Sequence, residues 1–134
     1  MTRPRSSTAL LSSLAGLTSL GILLQGLWAG LFLPAGKGGP YADTWVQVHN
    51  WGARITTLLA LITLVVALAR HRERRDLWVG ALALALLLVV EGILGAAISD
   101  GGSHAAAAVH VPLALAIMSI AVWLPLRARH AGGA

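Results

Sequence analysis

Residues 55–70 read ITTLLALITLVVALAR, residues 70–76 read RHRERRD, and residues 77–98 read LWVGALALALLLVVEGILGAAI. The two apolar stretches belong to runs from about Thr44 to Arg70 and from Leu77 to Ile98. A bilayer-crossing helix takes about 20 apolar residues at 1.5 Å each, so both runs are long enough. The arginine-rich stretch between them cannot enter hydrocarbon. Together they predict a transmembrane hairpin with a tight basic turn. Working outward, a first apolar run spans about Ala9 to Leu33 and stops at Pro34, before the loop Ala35, Gly36, Lys37, Gly38, Gly39, Pro40. A fourth run, about His104 to Leu126, follows the short turn Asp100, Gly101, Gly102, Ser103 and is closed by Arg127, Arg129 and His130. Only helices and closed barrels satisfy their backbone in lipid. The prediction is an all-α, integral-membrane, four-helix up-and-down bundle with helices at about 9–33, 44–69, 77–98 and 104–126, one domain over residues 1–134.

Composition agrees. Of 134 residues, 57% are apolar and only 11% charged, and the mean hydropathy is +0.77. A soluble globular chain carries about a quarter charged residues. The pI of about 11.5 does not make this a nucleic-acid reader, because the basic residues cap apolar runs rather than gather on one soluble face. No nucleic-acid partner is expected; the bilayer is. The absence of cysteine removes disulfides, thiolate metal sites, cysteine nucleophiles and covalent c-type haem attachment. A basic start before an apolar run also resembles a signal peptide, but about 25 residues exceeds an h-region of 7–15, so the first run is read as a permanent span.

Arginine placement sets the expected orientation. Arg3 and Arg5 precede the first run, Arg70, Arg72, Arg74 and Arg75 fill the middle turn, and Arg127 and Arg129 follow the fourth. Lysine and arginine mark cytoplasmic loops. Both termini are therefore expected in the cytoplasm, with the chain multi-pass in an inner or plasma membrane. Phe32, Tyr41, Trp45 and Trp51 fall near the outer boundary, and Trp78 and Trp123 near the inner one, as aromatic belts do.

The chain also repeats one hairpin. Gln25, Gly26, Leu27, Trp28, Ala29, Gly30 in helix one answer to Glu91, Gly92, Ile93, Leu94, Gly95, Ala96 in helix three. Helix two then opens with His49 and Ala53, and helix four with His110 and Ala114, at the same internal spacing. Helices one and three run in one direction, so the repeat is parallel. Counted from the outer boundary, His49 and His110 lie roughly 8–9 Å deep and Gln25 and Glu91 roughly 10–12 Å. Intramembrane polar residues face the interior and are functional candidates.

Helices two and four are diagonal in such a bundle, so His49 and His110 are expected to point at each other across its centre. Two opposed imidazoles suit the two axial positions of a haem iron. Ala53 and Ala114, one turn along the same faces, and Gly26, Gly30, Gly92 and Gly95 on the other pair of helices leave room for a flat macrocycle. Arg54 is a partner for a haem propionate or a side chain reaching for the headgroups. Glu91 reads as a protonated hydrogen-bond partner, a proton relay or a counter-charge to ferric haem. His104 reads as a solvated residue at a helix start, and His71 and His130, among arginines, as surface residues. Pro112 either bends helix four or is an early-helix proline. The rivals to haem ligation are interhelical hydrogen bonding and a proton path or another metal.

On these residues the chain resembles one four-helix half of the heme A synthase family. The resemblance rests on the repeated hairpin, on Gln25-Gly26 and Glu91-Gly92, and on His49 and His110 early in helices two and four. It implies a bundle holding one b-type haem with His49 and His110 as axial ligands. The family has two such halves and this chain has one; its substrate-handling half carries a Glu three residues before the first His and commonly a basic residue after it, where this chain has Val46 and Asn50. The expectation is therefore a haem-holding membrane protein working in electron transfer or haem carriage, with a membrane redox partner or a quinone. The alternative is an accessory or small transport module without haem. A dimeric haem-modifying oxygenase, in which a homodimer recreates two halves, is the least favoured.

Overall fold

The computed structural model describes residues 5–33 and 41–130, with side chains from Thr8 onward. Arg3, the Arg5 side chain and the loop from Pro34 to Pro40 with Lys37 lie outside the described residues. Four helices follow one another, α1 (Arg5–Phe32), α2 (Ala42–Arg70), α3 (Arg75–Gly101) and α4 (His104–His130). All four are long and apolar enough to cross a membrane. α1 packs on α2 and α4, α3 packs on α2 and α4, and among the described residues the backbones of the diagonal pairs do not approach closely. This is the expected up-and-down bundle.

The helices outrun the apolar stretches because their ends are capped. α3 starts before Leu77, with Asp76 in its first turn, where a carboxylate meets the positive end of the helix dipole. It ends at Gly102, whose φ of 61° is cheap for glycine. The Gly102 N–H then bonds the Ile98 carbonyl at 3.0 Å and the Ser103 N–H the Ala97 carbonyl at 3.3 Å, a double closure of the helix end. Ser103 Oγ accepts the Ala106 N–H at 3.2 Å and so opens α4. α4 stays helical through both Pro112 and Pro125.

Burial repeats along with the sequence. The offset that carries Gln25 onto Glu91 carries Leu11, Ala15, Thr18 and Ile22 onto Leu77, Ala81, Leu84 and Leu88. The offset that carries His49 onto His110 carries Thr56, Ala60, Thr63 and Ala67 onto Ile117, Ala121, Leu124 and Ala128. Every one of these side chains is buried. The two hairpins therefore share one core register, and that core fills the half of the bundle that ends in arginines. Beyond Ile22, Thr56, Leu88 and Ile117, toward the other end, only Ala42, Gly52 and Ala106 are buried among the described residues.

Polar links tie the arginine end. Asp76 receives Arg74 through Nε and Nη2 at 3.0 and 2.7 Å and Arg127 through Nε at 2.7 Å, joining α3 to α4. His71 departs from the sequence expectation of a surface residue. It is 1% exposed, because the turn folds back beneath the bundle with the His71 N–H on the Ala67 carbonyl at 2.9 Å and the Arg74 N–H on the His71 carbonyl at 2.9 Å. His130 is exposed, as expected, with Nδ1 2.7 Å from the Leu126 carbonyl.

Pro125 has no N–H for the carbonyl of Ala121, one turn back. The Ser19 hydroxyl of α1, whose single proton also has the Ala15 carbonyl of its own helix in reach at 2.9 Å, supplies the missing donor at the shorter distance of 2.6 Å, and Ser12 Oγ donates to the Pro125 carbonyl at 3.2 Å. Removing the first of these leaves a buried acceptor unpaired, which costs about 1 kcal/mol or more. Ser19→Ala should lower thermal stability by that much. In the Pro125→Ala background, where the helix satisfies Ala121 itself, the same change should cost almost nothing. Equal losses in both backgrounds, by thermal unfolding in detergent, would show that the hydroxyl does not serve the proline gap.

Candidate cofactor site

Where the apolar core stops, four polar side chains take over, one per helix. Gln25 lies seven residues before the end of α1 and Glu91 ten before the end of α3. His49 and His110 lie seven and six residues into α2 and α4. At 1.5 Å per residue the four sit roughly 9–15 Å from the helix ends opposite the arginines. All are partly buried. The structure pairs them within hairpins, Gln25 with His49 and Glu91 with His110.

In the first hairpin, His49 Nδ1 lies 3.2 Å from the main-chain carbonyl of Gln25. The Gln25 side-chain amide nitrogen also lies 3.1 Å from this Nδ1, so main-chain and side-chain groups of one residue both bear on the ring. The Gln25 amide, oriented so that donors face acceptors, donates to the His49 carbonyl at 2.9 Å and accepts the Ala53 N–H at 3.1 Å. Those two main-chain groups pair with each other in an uninterrupted helix. Gln25 thus bridges the two ends of the rung that carries His49 and ties that rung to α1. Phe32 adds an edge-on ring contact to His49, with centroids 5.4 Å apart.

The second hairpin builds the same pair with different chemistry. His110 Nδ1 lies 3.3 Å from Glu91 Oε1, and the ring also faces the Glu91 main-chain carbonyl. Neither Glu91 Oε2 nor His110 Nδ1 has a well-formed hydrogen bond among the described residues. A carboxylate cannot both donate and accept as an amide does, so Glu91 does not reproduce the bridge that Gln25 makes.

Small residues play three roles. A Cβ on Gly95 would rest 3.7 Å from His110 Cε1, in ordinary contact. Gly26, Gly30 and Gly92 face open space, with no atom in reach of an added Cβ. Ala53 and Ala114 are half-buried beside their histidines, and Ala53 also serves the Gln25 bridge. Arg54 lies on the exposed face with its guanidinium 4.9 Å from the Trp51 ring centroid, an interfacial cation–π contact. His104 is exposed at the start of α4.

Gly52 and Trp28 escaped the sequence reading. A Cβ on Gly52 would collide with the Trp28 ring and with Gln25 Nε2. Trp28 and Gly52 each stand three residues beyond the polar residue of their own helix, so the match of large to small was written in the sequence. Recognising it requires the register between two helices, which one chain does not display. At the matching positions of the second hairpin stand Leu94 and Leu113.

No family model, curated protein or solved structure matches the chain. The site's chemistry therefore rests on its own geometry. Among the described residues no group of three or more His, Asp or Glu gathers as a bare metal site would need. His49 and His110 stand on diagonal helices as two single imidazole donors, a set that would suit only a metal bringing further ligands of its own. Gly95 borders the His110 ring, and Gly26, Gly30 and Gly92 are exposed.

The glycines make a direct check on which of them touch helices. Gly52→Ala should lower stability by about 1–3 kcal/mol, because Trp28 must move. Gly26→Ala and Gly92→Ala should leave stability unchanged or raise it by up to about 1 kcal/mol, since alanine is the better helix former. Thermal unfolding of the three variants without added ligand decides this, and a loss at Gly26 or Gly92 as large as at Gly52 contradicts the open positions.

Proposed function

We propose that the chain is a membrane b-type haem protein that holds one haem between His49 and His110 and works in electron transfer or haem carriage. The observation that carries the reading is the pair of histidines on diagonal helices, each turned by a partner on the preceding helix at the level where the apolar core ends. His49 Nδ1 lies 3.2 Å from the Gln25 carbonyl and His110 Nδ1 3.3 Å from Glu91 Oε1, and neighbours at Nδ1 tune the orientation and basicity of a ligating imidazole. Gly26, Gly30, Gly92 and Gly95 border the space, and Ala53 and Ala114 keep the histidine faces clear. Bound there, haem supplies a one-electron couple. The chain's own part is to present two neutral imidazoles, exclude bulk water and set the local charge through Glu91. Arg54 belongs to the interface in this account.

The resemblance to one half of the heme A synthase family leans the same way, and Val46 in place of a carboxylate argues against oxygenation of the macrocycle. In this reading both termini are cytoplasmic, the haem lies toward the outer face of an inner or plasma membrane, and the redox partner is a membrane protein or a quinone. One observation favours a second reading. Glu91 Oε2, buried and unbonded, is also what a proton-conducting or accessory module without haem would carry.

Expression with haem supply, purification in detergent and a reduced-minus-oxidised spectrum test the first reading. A six-coordinate low-spin spectrum is expected for the parent chain. His49→Ala and His110→Ala should each abolish it, whereas His104→Ala should leave it intact. A colourless protein, or the unchanged spectrum in His110→Ala, sinks the ligand assignment. In a protein that takes up no haem, a proton leak into vesicles that disappears in Glu91→Gln would install the second reading instead.

A further inference from the structure

Between α3 and α4, on the outer surface of the bundle and far from the histidines, runs a groove of about 500 Å³ lined by Asp76, Val79, Gly80, Ala83, Ser119, Ile120 and Trp123. From Asp76 to Ala83 it follows roughly 10 Å of helix. Its floor is low because Gly80 and Ala83 carry almost no side chain, and the Trp123 ring lies against Gly80 to form a wall. The Ser119 hydroxyl donates to the Leu115 carbonyl at 3.0 Å, so the lining is apolar in practice. At its arginine-rich end two guanidinium groups, Arg74 and Arg127, share the single carboxylate of Asp76. One positive charge is left over. Arg127 makes its bond to Asp76 through Nε and is half exposed, so its terminal nitrogens face outward.

The internal repeat supplies a control for this surface. The offsets that superimpose the hairpins put Leu10, Leu14 and Leu17 of α1 where α3 has Asp76, Gly80 and Ala83. They put Leu58 and Val66 of α2 where α4 has Ser119 and Arg127. The first hairpin is filled and uncharged at the same place. A groove capped by arginine is thus not a by-product of pairing two such helices.

We propose that this groove binds one anionic phospholipid, with part of an acyl chain along Val79 and Ala83 beside the Trp123 ring and the phosphate on Arg127 and Arg74. The occupant follows from charge and shape together. A net positive cluster at the end of an apolar slot that opens toward lipid matches a phosphate joined to a hydrocarbon chain, and basic sites between helices at the cytoplasmic side take acidic headgroups. A neutral quinone would use the slot and ignore the arginines, and a free phosphate would use the arginines and ignore the slot. The site is independent of the haem reading.

The test is native mass spectrometry of the detergent-purified full chain, after adding phosphatidylglycerol or phosphatidylcholine with the same acyl chains. The parent chain should retain one phosphatidylglycerol in preference to phosphatidylcholine. Ala83→Trp, which fills the slot, should abolish retention. Leu17→Trp, at the matching exposed position of the first hairpin, should not. Arg127→Gln should lower the headgroup preference about fivefold, the worth of one arginine near an anionic surface. This surface change keeps the test open if Ala83→Trp does not fold. Equal retention of both lipids by the parent chain overturns the proposal. So does unchanged phosphatidylglycerol binding in Ala83→Trp or in Arg127→Gln, or displacement of the lipid by a neutral isoprenoid quinone at equal concentration.

Discussion

A packed core of alanine and larger aliphatic side chains holds this bundle together. Ala15, Ala60, Ala67, Ala81, Ala121 and Ala128 are fully buried, at least one on each helix, and all lie in the half that ends in arginines. Lipid is as apolar as leucine, so helices in a membrane gain little by hiding leucines from it and associate through close contact of small residues. Small residues let backbones approach; leucines between them, such as Leu11, Leu77, Leu84 and Leu124, then fill the remaining gaps. Because these contacts stop at Ile22 and Leu88, the helices carry their polar residues just past the last well-packed layer. The position of the site is set by where the alanines end.

Much of this was legible in the sequence, and the illegible part has a physical cause. Helix number, order and direction follow from apolar length and arginine placement, and the histidine pair from the repeat. The buried face of each helix does not, since hydrophobic periodicity marks a core only when the opposite face is polar. Here Leu17, Leu58, Val65 and Leu115 on the lipid side are more apolar than Thr18, Thr56 and Thr63 inside. The core became visible only when burial was compared between the two hairpins. His71 was hidden for another reason: its arginine neighbours point to water, while its own position is fixed by the backbone of the turn. The hairpin partners were near at hand in the sequence, as Gln25 and Glu91 shared a depth with the histidines, but which polar residue holds which imidazole needed coordinates.

The two hairpins share a backbone plan and differ in polarity. Ser12, Thr18, Thr56 and Thr63 in the first answer to Trp78, Leu84, Ile117 and Leu124 in the second. At the site the difference reverses sign: a neutral amide serves His49 and an acid faces His110. The two imidazoles are thus chemically distinct, one beside a main-chain carbonyl and an amide that bridges a rung of its helix, the other beside an under-bonded carboxylate. Divergence within a repeat has turned a symmetric frame into a polar site, and on the second hairpin it has also left the groove capped by Arg127.

The central claim is that one chain offers one haem two imidazole ligands. Titrating haem into the purified apo-protein and recording the electron paramagnetic resonance of the ferric product tests it most directly. Saturation at one haem per chain, with a low-spin signal of the bis-imidazole type, is the predicted result. Saturation at one haem per two chains, a high-spin signal, or no uptake at all would contradict it.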